Sequence, residues 1–387
     1  MTSFTERGVG GVAEINGTWD RRFDGVASTL AASLDAGTDV GASVAVFLHG
    51  EPVVDVWGDF VDESHSAPWA EDTLVNVWST TKTMTFLCAL MLADRGELDF
   101  YAPVSTYWPE FAAGGKERVE VRHLMSHTAG LPGWSEPLRS EELADWEKCT
   151  SMLAAQEPWW EPGTASGYHA VTQGYLIGEV VRRITGTTIG QWFASEVAGP
   201  LGADFSIGLP ASEDPRVSVV IPPPPSDLEM LNPSELVVRA MSNPPLDAAL
   251  PANAWWRRAE IPAANGHGNA RSVAMIQSVI AGRGEARGVR MLSAEGCEAI
   301  FDQQSNGRDL ILGAPYRFGM GYGLSTEMMP IGPRACFWGG YGGSLIVIDQ
   351  ETELTVCYAM NRMEGGLQGD IRGADIVLAA VVGLAEG

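Results

Sequence analysis

Hydrophobic positions in the first sixty residues follow a helical spacing and then an extended one. Apolar residues recur at helical intervals over residues 21–36, which predicts an amphipathic helix. Two short apolar runs, 42–48 and 52–57, enclose a histidine–glycine pair at 49–50. Strand-length apolar runs around a turn dipeptide are typical of a β-hairpin, so we expect one here.

The strongest helical pattern covers residues 80–95 and ends at Gly96, a residue type that favours helix termination. The same periodicity predicts helices at 171–184 and 271–282. Helical segments and loops alternate through the centre of the chain, and the prolines at 222–225 predict a stiff surface segment.

Near the C-terminus the pattern becomes extended again. Apolar runs at 343–348 and 354–360 lie on either side of a turn at 349–353, which predicts a second hairpin. Residues 374–384 predict a closing helix. Strands therefore lie at both ends of the chain, and helices dominate its centre.

The simplest architecture for this order is an α/β (α+β) fold. An antiparallel sheet is built from both termini and flanked by the terminal helices, with a helical domain inserted between its halves. We place the sheet domain at residues 1–85 and 265–387, and the inserted, mainly helical domain at 86–264.

Composition excludes several classes of partner. The chain has 387 residues, 45% of them hydrophobic, which is enough for a sizeable core. Its formal net charge of -24 is spread along the chain and repels phosphate backbones and anionic lipid heads. We therefore expect neither nucleic acid nor membrane as a partner. No apolar run could span a bilayer, and no secretory signal opens the sequence, so we expect a cytoplasmic protein. The oligomeric state stays open, a homo-oligomer included.

Cysteine and histidine positions indicate neither a disulfide framework nor a metal site. The five cysteines are odd in number and lack a C-x-x-C pair, so free buried thiols are favoured over disulfides. His123 and His127 have an i, i+4 spacing, but neither an H-E-x-x-H glutamate nor a third ligand accompanies them. We expect no metal ion and no cofactor.

Residues 79–82, which read S-T-T-K, form an S-x-x-K pattern at the start of a predicted helix. Residues three apart share a helix face, so the hydroxyl of Ser79 and the amine of Lys82 can meet. A serine hydroxyl is a poor nucleophile until a base removes its proton, and burial lowers the pKa of a lysine toward that role. The alternative is an ordinary surface helix start, but both flanks of this pattern are apolar.

Two further segments carry candidate chemistry. Tyr168 follows a proline–glycine loop and precedes a predicted helix, so its hydroxyl can reach a cleft; a structural tyrosine is the alternative. Residues 337–344 read F-W-G-G-Y-G-G-S at the entry to a predicted strand. Clustered glycines allow a ligand to approach the backbone, and a tight turn is the alternative. The chain has no G-x-S-x-G nucleophile elbow.

Together these segments resemble the serine β-lactamase and penicillin-binding-protein-like superfamily, in which S-x-x-K carries the nucleophile. The resemblance is closest to the family VIII carboxylesterases, which are similar to class C β-lactamases. Residues 124–133, 161–186 and 265–274 also look like members of that family, and the likeness covers about residues 23–363. It implies a serine β-lactamase-like fold and an ester as the small-molecule substrate.

The resemblance also implies roles for individual residues. Ser79 would be acylated, Lys82 would help to deprotonate it, and Tyr168 would act as partner base and later as acid toward the leaving alcohol. The backbone N–H groups of Ser79 and Tyr341 would form the oxyanion hole, where each donor lowers the barrier by roughly 3 kcal/mol. Water would then hydrolyse the acyl-enzyme.

The chain departs from the lactamase pattern in two places. His169 and an alanine follow the tyrosine where lactamases carry x-Asn, and Trp338-Gly339-Gly340 stands in place of Lys-Thr-Gly. We assign these four residues, His169 and the Trp-Gly-Gly segment, to substrate binding; His169 could instead cap the next helix. An apolar Trp338 suits a neutral group, so esters are expected over antibiotics. Only an arginine could replace the missing lysine, and Arg334 is the nearest one upstream.

Three functions remain open at this stage. The first is a carboxylesterase, and the second is an acyltransferase, amidase or β-lactamase that uses the same chemistry. The third is a catalytically silent binding protein on the same scaffold. The presence of Ser79, Lys82 and Tyr168 together favours an enzyme.

Overall fold

Antiparallel strands from both chain ends form the main sheet of this computed structural model, which describes residues 13–224 and 233–386. The strands in those ranges are β1 (Ile15–Trp19), β2 (Gly41–Leu48), β3 (Glu51–Asp59), β4 (Val75–Asn76), β5 (Phe205–Ser206), β6 (His267–Gly268), β7 (Glu285–Ala286), β8 (Val289–Arg290), β9 (Ser305–Arg308), β10 (Pro315–Phe318), β11 (Gly323–Leu324), β12 (Ala335–Gly339), β13 (Leu345–Asp349) and β14 (Leu354–Met360). Nine of these described strands pair in the order β1-β3-β2-β14-β13-β12-β11-β10-β9.

The two ends of the chain meet where β2 pairs with β14. The antiparallel register runs from Leu354 opposite Leu48 to Met360 opposite Ala42. Both predicted hairpins are confirmed, as β2 pairs with β3 and β13 pairs with β14. β13 begins two residues later than its apolar run, because two glycines before it adopt positive φ and turn the chain.

Helices cover the sheet and fill the centre of the chain. In the described ranges the α-helices are α1 (Asp24–Asp35), α2 (Lys82–Asp94), α3 (Val121–Met125), α4 (Trp146–Ala155), α5 (Thr172–Thr185), α6 (Ile189–Phe193), α7 (Gly199–Leu201), α8 (Glu235–Met241), α9 (Ala254–Arg258), α10 (Ala270–Ala281), α11 (Ala294–Glu298) and α12 (Ile371–Ala385). The predicted helices at 21–36, 171–184, 271–282 and 374–384 are confirmed as α1, α5, α10 and α12, with shifted ends. The closing helix starts earlier than predicted because the side chain of Asp370 caps it through the Arg372 amide.

Both faces of the sheet centre are covered. β2 and β14 are buried along their whole length, although successive side chains of a strand point to opposite faces. The helices α1 and α12 pack on each other, and α12 and α10 both contact β14. This is the predicted arrangement of a sheet flanked by terminal helices.

Helix α2 lies at the centre of the molecule. Every residue from Lys82 to Leu92 is buried, and the helix contacts α5, α6 and α11. It begins two residues later than predicted, because a 3-10 turn over Trp78–Thr81 precedes it. The division into a sheet domain and an inserted domain stays a prediction. Residues 1–12, Pro225 and Gly387, which entered the sequence analysis, lie outside the described residues.

Candidate active site

Ser79 lies in a tight turn that leads from β4 into α2. The preceding Trp78 has φ +47°, a left-handed conformation that is rare for a bulky residue. The amide of Val77 donates to the carbonyl of Gly266 at 3.0 Å, and the Gly266 amide donates to Oγ1 of Thr81 at 2.8 Å. One neighbouring segment therefore holds both sides of the turn, which is how a strained backbone is maintained.

Ser79, Lys82 and Tyr168 meet through the ends of their side chains. Nζ of Lys82 lies 3.0 Å from Oγ of Ser79 and 3.1 Å from the hydroxyl oxygen of Tyr168. The Tyr168 hydroxyl lies 2.6 Å from Oγ of Ser79. All three distances are hydrogen-bond distances, so a proton can pass directly between any two of these groups.

Burial changes the proton affinity of Lys82. The side chain is 1% exposed, and burial lowers its pKa well below that of a free lysine because an ammonium loses its hydration there. Its remaining polar neighbours are the carbonyl oxygens of Ala170 and Ala263, at 2.7 and 3.0 Å. Within the described ranges Lys82 forms no salt bridge that would oppose this effect. The amine is therefore able to act as a base.

Tyr168 is kept protonated by the same dry surroundings. Burial raises the pKa of its phenol above the usual value, which makes the neutral hydroxyl the stable form. Oδ1 of the fully buried Asp309 accepts the backbone amide of Tyr168 at 3.0 Å, and the amides of Ile311 and Leu312 at 2.9 Å. Asp309, which the sequence analysis missed, thus fixes the tyrosine to the turn that follows β9. A neutral, fixed phenol suits a proton donor.

The backbone amide of Ser79 and that of Tyr341 are free to bind a ligand oxygen. In the described part of the chain, neither the Ser79 N–H nor the Tyr341 N–H donates an internal hydrogen bond. The amides on either side of Tyr341 are engaged, since Gly340 donates to Ser344 O at 2.7 Å and Gly342 donates to Gly366 O at 2.8 Å. The rings of Trp78 and Tyr341 pack edge to face at 5.4 Å, so the two segments lie side by side. Both amides are available to an oxyanion.

A mainly apolar cavity of about 330 Å³ opens on Ser79 and Tyr168. Its apolar walls are formed by Trp78, Val237, Met241, Leu246, Ile311 and Leu367. Among the residues that the structure describes, none that lines the cavity carries a charge. The walls come from separate segments of the chain, and no local pattern in the sequence indicated them. The cavity suits an uncharged, apolar group.

Trp338 and His169, which the sequence analysis assigned to substrate binding, lie outside the cavity lining. Trp338 is 1% exposed and stacks on the ring of His127 at 5.4 Å. Nε2 of His169 accepts the amide of Leu131 at 3.0 Å, so its Nδ1–H donates to the carbonyl of Gly167 at 2.6 Å. Burial lowers the pKa of His169 to about 3. Both of its ring nitrogens are occupied by the backbone, so the structure places this histidine in loop packing.

Gly339 and Gly340 admit neighbouring chain segments. A Cβ at Gly339 would lie 2.1 Å from the backbone carbon of Gln368, and one at Gly340 would lie 2.1 Å from Oγ of Ser344. The two glycines therefore allow close packing at the end of β12. Their lack of side chains is explained by contacts within the protein, and their assignment to substrate binding stays a prediction.

The remaining candidate residues are engaged elsewhere. Nδ1 of His127 accepts the amide of His169 at 3.0 Å, and Nδ1 of His123 accepts a backbone amide at the start of α3. Arg334 forms a salt bridge with Glu298 and does not line the cavity. The five cysteines are buried and unpaired. No cluster of three or more metal-ligating side chains, and no helix long and apolar enough to cross a membrane, occurs in residues 13–224 and 233–386.

The fold and this site define a class of protein. The family model described as Beta-lactamase matches residues 26–380, so the chain belongs to the β-lactamase family. Over 365 residues it is 36% identical to the Esterase/beta-lactamase LipL of Mycobacterium tuberculosis, covering 90% of this chain and 83% of LipL. It is 32% identical over 219 residues to the Esterase EstB of Burkholderia gladioli, covering 50% of this chain and 55% of EstB.

Two solved structures superimpose on nearly the whole chain. The crystal structure of a family VIII carboxylesterase superimposes with a TM-score of 0.91 at 42% identity, covering 96% of this chain and 100% of that one. A penicillin-binding protein homolog from Caulobacter crescentus superimposes with a TM-score of 0.90 at 34% identity, with 96% and 100% coverage. The resemblance inferred from the motifs is confirmed, as is the β-lactamase-like fold.

Proposed function

We propose that this protein is a carboxylesterase that forms an acyl-enzyme on Ser79. The observation that carries the proposal is the position of the buried Lys82 amine, 3.0 Å from Oγ of Ser79, at the edge of an uncharged cavity. A lysine whose pKa is lowered by burial accepts the serine proton as the hydroxyl attacks. Its similarity to proteins named as esterases supports the same function.

The proposed acylation conserves protons. The Ser79 proton moves to Lys82 as Oγ bonds to the ester carbon, and the carbonyl electron pair becomes an oxyanion held by the amides of Ser79 and Tyr341. Collapse of this intermediate breaks the bond to the alcohol oxygen. That oxygen takes the proton of Tyr168, whose hydroxyl lies 2.6 Å from Oγ, and Lys82 reprotonates the phenol. A water molecule then repeats the sequence and releases the carboxylic acid.

The cavity favours substrates without a charge. Its walls are apolar, and in the described part of the chain no arginine or lysine lines it. A β-lactam or peptide carboxylate would lose hydration there without gaining an ion pair, a loss of several kcal/mol. Neutral esters avoid this penalty. The unpaired buried cysteines also support residence in a reducing compartment such as the cytoplasm.

Hydrolysis of p-nitrophenyl butyrate tests the proposal. We expect a burst of p-nitrophenol equal to the enzyme concentration, followed by steady turnover. Ser79→Ala should abolish both phases while the variant keeps its fold by circular dichroism. Full turnover by Ser79→Ala would falsify the assignment.

A matched ester pair tests the substrate class. Methyl 4-(butyryloxy)benzoate and 4-(butyryloxy)benzoate differ in one carboxylate, and we expect the neutral ester to have the higher kcat/KM by roughly tenfold or more. A cephalosporin and an anilide in the same panel test the lactamase and amidase alternatives. Equal kcat/KM for the neutral and charged esters would contradict a selective, uncharged cavity.

A further inference from the structure

A buried pair of hydroxyl groups joins the turn before α2 to the turn between β12 and β13. Oγ of Ser344 lies 2.8 Å from the carbonyl oxygen of Val77 and 2.9 Å from Oγ1 of Thr80. Thr80 is fully buried and Ser344 is 2% exposed, so water does not compete for these bonds. The Val77 carbonyl can only accept, so the Ser344 proton points to it and the Thr80 hydroxyl donates to Ser344.

Gly340 leaves the space that this pair occupies. A Cβ at Gly340 would lie 2.1 Å from Oγ of Ser344 and 2.5 Å from the Val77 carbonyl oxygen. The Gly340 amide donates to the Ser344 carbonyl at 2.7 Å and closes the turn around Tyr341. The backbone of Tyr341 is therefore fixed through Ser344 to the segment that carries Ser79.

We propose that Thr80 and Ser344 are positioning residues that set the spacing between the two oxyanion-hole amides. Thr80 follows Ser79 directly, and Ser344 closes the turn that presents the Tyr341 amide. The proposal rests on the proposed function, because it takes these two amides as the oxyanion donors. Neither hydroxyl lines the cavity, so neither is expected to touch the substrate.

Oxyanion stabilisation is gained only in the transition state. Oxyanion donors act only when both lie about 2.7–3.1 Å from the developing negative charge, and a shift of about 1 Å in a catalytic group reduces rates strongly. A looser turn would bind the neutral ester equally well and stabilise the oxyanion less. Loss of the hydroxyl pair should therefore lower kcat and leave KM nearly unchanged.

The chain offers matched substitutions for this test. Thr80→Val removes the hydroxyl and keeps the shape, Thr80→Ser keeps the hydroxyl, and Ser344→Ala removes the other member of the pair. The control is Thr150→Val in α4, where a buried threonine hydroxyl donates to the Trp146 carbonyl at 2.8 Å, far along the chain from the site. All four variants change no charge.

We expect Thr80→Val and Ser344→Ala each to lower kcat for p-nitrophenyl butyrate by roughly tenfold or more, less than the 10²–10³-fold typical of deleting a donor outright. Thr80→Ser should recover most of the rate, and Thr150→Val should turn over like the wild type. Affinity for a trifluoromethyl ketone, which mimics the oxyanion, should fall in parallel with kcat/KM.

The outcomes separate a positioning role from a structural one. Wild-type kcat in both hydroxyl-deleted variants, with only a lower thermal midpoint, would overturn the proposal, as would a loss confined to KM. A fluorophosphonate probe provides the independent check on the proposed function. If it labels Ser79 in the wild type and in Thr80→Val, but more slowly in the variant, the esterase chemistry stands and the positioning role is supported. If it leaves wild-type Ser79 unlabelled, the proposed function fails, and the positioning role fails with it.

Discussion

Acidification should destabilise the native protein before its surface carboxylates are protonated, because buried histidines must stay neutral. His169 has one ring proton, given to the Gly167 carbonyl, and its second nitrogen accepts the Leu131 amide. A second proton would displace that amide and place a charge in a dry site. Burial lowers the pKa of His169 to about 3 and that of His267 to about 4, and the pKa of His127 falls well below its usual range.

The size of the effect follows from proton linkage. An unfolded histidine has a pKa of about 6.5, so below that pH the unfolded chain binds protons that the native side chain refuses. The contribution of each buried histidine to stability is therefore fully present above about pH 6.5. It is lost progressively as the pH falls from there to the native pKa. At pH 5 the loss is about 2 kcal/mol for each of His169 and His267, or about 4 kcal/mol together, with His127 adding to it. Whole domains are stable by only about 5–15 kcal/mol.

Urea unfolding at pH 7.5 and pH 5.0 measures this loss, and His169→Gln isolates one contribution. The variant should be less stable than the wild type at pH 7.5, but its stability should fall by about 2 kcal/mol less on acidification. His65→Gln, at an exposed position, is the matched control and should keep the wild-type difference. The reasoning is refuted if the free energy of unfolding of the wild type is equal at the two pH values, or if His169→Gln loses as much as the wild type.

Three further predictions concern the site. A plot of kcat/KM against pH should rise with pH along a limb that ends well below the usual lysine pKa near 10.4, because burial favours neutral Lys82; a flat profile would contradict a lysine base. Lys82→Arg, which holds its charge at all accessible pH values, should lower kcat in the p-nitrophenyl butyrate assay by roughly 10³-fold or more, and near-wild-type activity would refute the role of an uncharged amine. Asp309→Ala leaves the amides of Tyr168, Ile311 and Leu312 unpaired, so the free energy of unfolding in urea should fall by roughly 3 kcal/mol or more and kcat should fall as well. Asp309→Asn keeps the acceptor oxygen and should retain more of both the stability and the activity.

Local patterns predicted the two hairpins, because turn-forming or polar residues separate their apolar runs, and the terminal helices, because they bury one face. The start of α2 could not be located in this way. Its residues are buried on all sides, so the pattern has no polar face from which to judge where the helix begins. The turn at Trp78 also depends on contacts with residues nearly two hundred positions away.

The site shows the same division between local and long-range information. The S-x-x-K spacing indicated that Ser79 and Lys82 would meet, and the structure brings them to 3.0 Å. The assignment of Trp338 rests on its place in the segment that replaces Lys-Thr-Gly. In the structure this side chain packs on His127, and its role in substrate binding stays a prediction. The walls of the cavity beside Ser79 include Val237 and Ile311, which are ordinary apolar residues that only the fold brings together.

The hydrogen bonds of Lys82 explain how a base can reside in an apolar site. A neutral amine offers two hydrogens and one lone pair, and the carbonyls of Ala170 and Ala263 can only accept, so they take both hydrogens. The lone pair is then directed at the hydroxyl of Ser79, whose oxygen accepts the hydroxyl proton of Tyr168. When it takes the serine proton, the new ammonium meets carbonyl dipoles and no salt-bridge partner that would retain the proton. Burial favours the neutral amine and the neutral phenol alike, so a proton taken up by Lys82 is readily passed on to the departing alcohol.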